Sequence, residues 1–361
     1  MTIIALEEHF STQALRDANA DHPLLRKPQV RDPHDGLAGA GFSGVGEQTL
    51  ARLLDLGEQR LADMDAAGID VQVLSQTTPG TEGLNASTAV RLTAEANDVA
   101  AEAIAVRPDR FAGFATLPTP DPGAAAKELE RAVGSLGFVG AMTNGHVNGR
   151  YLDDQFFWPI FEAAEALAVP VYLHPGYPPQ AVVDACYSGF SPTVNAALAS
   201  GAWGWHVDTG LHVLRLILGG VFDRFPRLQL VIGHMGEALP SMIWRANWIL
   251  SGTSGLQRPV QEYFTENIYV TTSGVFDHAP FAAAVHALGT DRILFSVDYP
   301  YSSNDEARAF LDALPVSSPD REKIAHRNAE RLLRLGDRTR GRKGVQSLAC
   351  STPPSPVSRR P

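Results

Sequence analysis

Glu7 and His9 stand two residues apart where an apolar run, Ile3-Ile4-Ala5-Leu6, turns into charge. On a β-strand, residues two apart point to the same side. A carboxylate and an imidazole converging at a strand end make half of a divalent-metal site. One such pair near a chain start is ordinarily a solvated pair. Three later segments repeat the form: 169–173 runs into His174, 228–233 into His234, and 293–297 into Asp298. Each ligand-type residue follows at least four apolar or small residues, so each leaves a buried strand at its C-terminal end. Four such ends argue for one shared site.

Those ends need a scaffold that brings them together. Apolar runs predict strands at 3–9, 71–76, 111–117, 138–144, 169–173, 228–233, 268–273 and 293–297. A helix, or a long connection containing one, follows each strand. Helices are expected at 86–106 and 122–135, and one amphipathic helix is marked by Leu50, Leu53, Leu54, Leu61 and Met64 up to a Gly68 cap. Phe157, Phe161, Ala164 and Leu167 form another apolar stripe, and Val207, Leu211, Leu214 and Leu218 a further one. Met235-Gly236-Glu237 reads as a helix opening. The alternation argues for parallel strands, and eight β/α units make the α/β class (β/α)8 TIM barrel. In that fold functional side chains gather at the C-terminal strand ends, where Glu7, His9, Asn144, His174, His234 and Asp298 fall.

Two long connections interrupt the alternation. Residues 10–48 are rich in Gly, Pro, Asp and Arg, carry His22 and His34, and leave the strand end that bears Glu7 and His9. Long ordered loops of this kind act as lids or binding loops, so 10–48 reads as a lid over the site. A second excursion, 176–204, carries Tyr177, Tyr187, Phe190 and Trp203. Two helices close the barrel domain near Leu335, giving a catalytic domain of 1–335. From Gly336 the composition turns to Arg, Ser, Pro and Gly without an apolar face, so 336–361 is expected to be a disordered tail.

The chain has 361 residues, 44% apolar, which suffices for a full core. Its net charge of −10 and pI near 5.5 argue against binding nucleic acid through a basic surface. No run approaches the roughly 18 to 20 apolar residues needed for a membrane span. No signal peptide is evident at Met1-Thr2-Ile3. The two cysteines, Cys186 and Cys350, imply no disulfide framework, and a cytoplasmic location is the expectation.

Taken together, Ala5-Leu6-Glu7-Glu8-His9-Phe10, Tyr172-Leu173-His174-Pro175, Ile232-Gly233-His234-Met235-Gly236-Glu237 and Phe295-Ser296-Val297-Asp298-Tyr299-Pro300 resemble the amidohydrolase-related decarboxylases. That family includes γ-resorcylate, 2,3-dihydroxybenzoate, 5-carboxyvanillate and aminocarboxymuconate-semialdehyde decarboxylases. The likeness runs over about 1–335. Glu7-x-His9 replaces the His-x-His of classical amidohydrolases and resembles the decarboxylase branch. The resemblance implies metal ligands at Glu7, His9, His174 and Asp298, with one divalent ion, Zn or Mn. It implies a flanking histidine at His234 and substrate contacts from Arg245, Asn144 and Arg60. Arg60 lies in Leu53-Leu54-Asp55-Leu56-Gly57-Glu58-Gln59-Arg60, which is similar to a 5-carboxyvanillate decarboxylase segment. His146 and Glu237 read as groups supporting the site, while His206 and His212 read as structural or exposed.

The implied reaction is non-oxidative decarboxylation of a small ortho-hydroxy aromatic acid, with Asp298 and His234 as the catalytic pair. A homo-oligomer, dimer or tetramer, is implied by the same resemblance. The alternative is a metal-dependent hydrolase of a small ester, lactone or amide, with Asp298 as general base. It needs no change in the ligand set.

Overall fold

The computed structural model of the chain describes residues 1–25 and 46–335. The middle of the expected lid, 26–45, and the expected tail, 336–361, lie outside the described residues. Eight strands, β1 (Ile4–Phe10), β2 (Val71–Gln76), β3 (Phe111–Thr116), β4 (Gly140–Asn144), β5 (Val171–His174), β6 (Leu230–Ile232), β7 (Ile268–Thr271) and β8 (Ile293–Leu294), pair in chain order. Every pairing is parallel. The ring closes where Glu8 bridges to Tyr299 and the His9 amide donates to the Tyr299 carbonyl at 2.7 Å. Helices surround this nearly closed α/β barrel, as expected of an amidohydrolase-like TIM barrel.

Strand alternation sorts the apolar residues into two layers. Ile4, Leu6, Val73, Phe114, Tyr172 and Val231 fill the barrel interior. Ile3, Ala5, Leu74, Phe111, Leu173 and Ile232 face outward and pack under the helices. On β1 simple alternation would put Glu8 inside with Ile4 and Leu6. It does not, because the β1–β2 register slips by one residue between Ala5 and Glu8. An extra residue in a ladder exchanges the two faces beyond it. Glu7 and His9 therefore turn to the interior, and Glu8 turns outward to accept from Gln72 Nε2 at 3.2 Å.

Three local expectations are corrected. The single helix drawn from Leu50 to Gly68 is two, Glu47–Leu54 and Glu58–Ala67. Asp55 breaks it by accepting from the Gly57 amide at 2.6 Å and the Arg60 amide at 3.1 Å. Such local bonding competes with helix continuation. The Gly204–Leu218 helix buries Val213, Leu216 and Ile217, whereas Leu211 and Leu218 are exposed. The helix carries apolar residues on both sides, and its buried side also holds Asp208 and His212. Asp208 accepts from the Tyr151 hydroxyl at 2.5 Å, and His212 Nε2 accepts from the Leu152 amide at 2.8 Å. Paired polar groups thus mask the core face.

The third correction concerns the segment after β6. His234, Met235, Gly236, Glu237 and Ala238 all have positive φ, forming a left-handed turn, and the right-handed helix begins only at Leu239. Left-handed backbone costs roughly 1–2 kcal/mol per residue for L side chains, and such strain clusters at functional sites. Here it brings His234 and Glu237 together.

Candidate metal centre

Glu7, His9, His174 and Asp298 converge at the C-terminal mouth of the barrel, with one ligand atom of each within 4.8 Å of the others. His174 Nε2 is 3.2 Å from Glu7 Oε1, and His9 Nε2 is 3.3 Å from Asp298 Oδ1 and 3.7 Å from Glu7 Oε1. Glu7, His174 and His9 are held from behind. Ser273 Oγ donates to Glu7 Oε2 at 2.6 Å, and the Tyr172 hydroxyl donates to the same oxygen. His174 Nδ1 donates to the Pro175 carbonyl at 2.8 Å, and His9 Nδ1 meets Ser75 Oγ at 3.2 Å. Outer contacts of this kind fix a ligand's tautomer and orientation. What remains forward is Glu7 Oε1 and His9 Nε2, both buried and without a hydrogen-bond partner.

Buried polar atoms without partners are costly. A divalent cation of the kind that accepts two carboxylates and two imidazoles fits this donor set. Protonation follows the same logic. Burial pushes the Glu7 carboxyl up, but the His234 charge and the facing His174 and His9 imidazoles outweigh it and hold it well below the usual range. Burial pushes His9 down, yet Asp298 and Glu7 bring it up to about 9. Burial lowers His174, which suits a neutral imidazole ligand.

His234 stands beside this group. Its Nε2 is 3.8 Å from Asp298 Oδ2 and 3.7 Å from Glu7 Oε1, and its Nδ1 donates to Glu237 Oε1 at 2.8 Å. Burial works against its charge, but Glu237 and Glu7 prevail and raise it well above the ordinary histidine value. Asp298, with φ of 74°, is pushed up by burial and brought down further by His234 and His9. It is therefore an ionised base lodged between two imidazoles.

A cavity of about 230 Å³ opens over the group. His174, His234 and Asp298 form part of its floor, Thr77, Tyr301 and Ser302 give polar wall, and Leu24, Leu25, Trp205 and Val275 give apolar wall. An apolar cavity of roughly 150 Å³ holds benzene, so this one accommodates a single substituted ring. Leu24 and Leu25 belong to the expected lid segment and do border the cavity.

The three expected substrate contacts are not brought to the cavity wall. Arg60 is fully buried. Its guanidinium donates to the carbonyls of His9 at 2.5 Å and Asp55 at 2.9 Å and to Gln72 Oε1 at 3.2 Å, and lies over the Tyr299 ring. It braces β1 from outside the barrel. Asn144 pairs in register with His174, but its amide and backbone N–H both donate to Glu82 Oε1. Arg245 is exposed on the Leu239–Leu250 helix, over the Trp248 ring. His146 lies apart from the metal group, where its Nδ1 accepts from the Gly149 amide at 3.0 Å. Glu237 takes the supporting position expected of it.

Sequence reasoning missed several groups that shape the site. Tyr172, Ser273 and Ser75 support the ligands, Trp205 and Tyr301 wall the cavity, and His206 contacts Glu237. Tyr172 and Ser273 are each next to or within a predicted strand, so their inward parity was a usable signal. His206 sits in a helix with no ligand-like spacing, and nothing in the sequence ties it to Glu237.

The comparisons agree with this architecture. The family model described as amidohydrolase matches residues 35–335; Glu7 and His9 precede the matched stretch. The chain is 39% identical to γ-resorcylate decarboxylase of Polaromonas sp. (strain JS666), over 92% of this chain and 98% of that one. A solved dihydroxybenzoic acid decarboxylase of the same strain, with bound manganese and 2-nitroresorcinol, superposes with a TM-score of 0.80 at 36% identity, covering 93% of this chain and 97% of that one. The 5-carboxyvanillate decarboxylase structure from Sphingomonas paucimobilis gives a TM-score of 0.81 at 34% identity, with 92% and 99% covered. The chain belongs to the amidohydrolase family, among relatives that are aromatic-acid decarboxylases.

Proposed function

We propose that the protein is a metal-dependent, non-oxidative decarboxylase of a small aromatic acid bearing a hydroxyl ortho to the carboxylate. The observation that carries this reading is Asp298, set between His9 and His234 over a ring-sized cavity. The decarboxylase relatives support it over nearly the whole chain. Decarboxylation replaces a ring C–CO2 bond with C–H, so the ring carbon must first take a proton. Asp298 is ionised before substrate arrives, so the proton comes with the substrate. Asp298 takes it from the phenol and delivers it to the carboxyl-bearing carbon. The C–C bond then breaks, its electron pair restores the aromatic ring, and CO2 leaves. His234, charged and fixed by Glu237, hydrogen-bonds the phenolate oxygen.

Glu7, His9, His174 and Asp298 would hold one divalent ion, manganese by likeness to the relative solved with it and zinc as the other ion this donor set accepts. When bound, that ion supplies positive charge that orients the substrate carboxylate and phenolate.

We further infer a cytoplasmic homo-oligomer that does not engage nucleic acid. Among the described residues no helix is long and apolar enough to cross a membrane. Trp244 and Trp248 stack at 6.1 Å, and with Met242 and Ile249 they leave an exposed apolar face on the Leu239–Leu250 helix. Faces of this kind mark subunit contacts. Arg245 shares that exposed side, so a substrate contact from Arg245 belongs to a neighbouring copy rather than to its own cavity.

The test is metal analysis of the purified protein joined to a CO2-release screen of ortho-hydroxybenzoates. The expected result is about one divalent ion per chain and CO2 from at least one ortho-hydroxy acid but not from its methoxy analogue. Full metal content with hydrolysis of esters or lactones and no CO2 would overturn the reading.

A further inference from the structure

We propose that His206 is a positioning residue: it tethers the far oxygen of Glu237 and the indole of Trp205, and so sets both the support of His234 and one wall of the cavity. The inference rests on the decarboxylase reading for its kinetic consequence, though its geometry stands apart from it.

Glu237 is 2% exposed, and both of its oxygens are used. Oε1 accepts from His234 Nδ1 at 2.8 Å, and Oε2 accepts from His206 Nδ1 at 2.6 Å. A carboxylate held at one oxygen can rotate about its last torsion, which is broad for this side chain. Held at both, it is fixed. The two imidazoles are edge-to-face neighbours, with centroids 4.7 Å apart at 66°, and each takes one oxygen of the carboxylate. With Nδ1–H committed to Glu237, the second nitrogen of His206 points the other way. That Nε2 faces two groups: in the neutral ring it accepts from the Trp205 indole N–H at 3.0 Å, and in the charged ring it donates to the Gly201 carbonyl at 2.8 Å. Trp205, Gly201 and the edge of His206 itself all border the cavity. One ring therefore joins the cavity wall to the group behind His234.

The fold is built to allow this contact. One turn beyond His206, Gly210 lies against the Glu237 carbonyl, where a Cβ would come within 2.8 Å. The Gly204–Leu218 helix thus sits directly on the left-handed turn that carries His234 and Glu237. His206, His234 and Glu237 also have the residue types of a metal site. Their bonding argues otherwise, since each imidazole addresses a different carboxylate oxygen at hydrogen-bond length rather than sharing a centre.

The experiment compares full-length H206L and H206N with the wild type. In asparagine the amide nitrogen occupies the place of Nδ1, so H206N keeps the donor to Glu237, while H206L removes it. In H206L kcat should fall about 10- to 100-fold, as for other outer partners of metal-site histidines. KM should stay within about twofold, and metal content should equal that of the wild type. H206N should recover most of kcat. A turnover-independent probe is the absorbance titration of bound 2-nitroresorcinol. Its ionisation should move to higher pH in H206L, as His234 loses its fixed partner, and return toward the wild-type value in H206N. Equal kcat in H206L and wild type, equal losses in H206L and H206N, or loss of a second equivalent of metal in H206L would each overturn the proposal. If the wild type turns over no ortho-hydroxy acid, the decarboxylase reading fails, and the 2-nitroresorcinol titration still decides the role of His206.

Discussion

His174 gives the clearest single-residue consequence of the site. Its Nδ1 is committed to the Pro175 carbonyl, so only Nε2 faces Glu7. His174→Ala should purify with at least tenfold less bound metal and release no CO2, read by metal analysis and a CO2 assay on one preparation. Full metal content would remove His174 from the ligand set. Arg60 leads the opposite way. Its donors serve four acceptors inside the fold, so Arg60→Met should lower stability by about 3 kcal/mol in urea unfolding and leave KM unchanged in the folded fraction. Unchanged stability with a raised KM would place Arg60 against substrate. The contrast shows what residue types could and could not reveal. Glu7, His174 and Asp298 were legible because each ends an apolar run, and His9 because it lies two residues past Glu7 on the same strand. Arg60 misled because a buried arginine bracing a strand and one gripping an anion look alike in sequence.

At the scale of elements, strand ends matter through close approach. A Cβ on Gly233 would come within 2.7 Å of Glu7 Oε2, 3.1 Å of Ser273 Oγ and 3.2 Å of the Tyr172 hydroxyl. Gly233→Ala should therefore displace Glu7 and cut metal content although the residue's φ of −78° suits alanine. Retained metal would show that the strand end yields. The Gly204–Leu218 helix carries a pH signature. Burial pushes His212 down to about 3, below its unfolded value of about 6.5. Its contribution is fully present above pH 6.5 and is lost as pH falls toward 3, because the unfolded chain binds the extra proton. His212→Gln, which keeps an acceptor for the Leu152 amide, should flatten the loss of stability between pH 6.5 and 4 in urea unfolding. An unchanged slope would show that other groups set it. Strand order and the 86–106 helix were readable from apolar periodicity. The slip in β1 was not, since one extra residue in a ladder leaves no mark on composition. The left-handed turn at His234 was hidden too, because Met235-Gly236-Glu237 has the composition of a helix start.

The whole molecule places its chemistry at one end of the barrel and its exposed apolar helix face elsewhere. If that face joins subunits, Trp248→Glu should shift elution from oligomer to monomer in size-exclusion chromatography while far-UV dichroism stays the same. An unchanged elution volume would move the contact to another surface. Residues 336–361 are proposed to be dispensable, and 10–48 to act as a lid, so truncation after Leu335 should leave turnover intact, whereas shortening 10–48 should raise KM. The central claim is that a proton, rather than a water molecule, attacks the substrate. Turnover in D2O, followed by mass spectrometry and NMR of the product, tests it most directly. One deuterium should appear on the ring carbon that lost CO2, and no solvent 18O in the product when the water is labelled. Solvent 18O in a product carboxylate, with no ring deuterium and no CO2, would contradict it and make the protein a hydrolase.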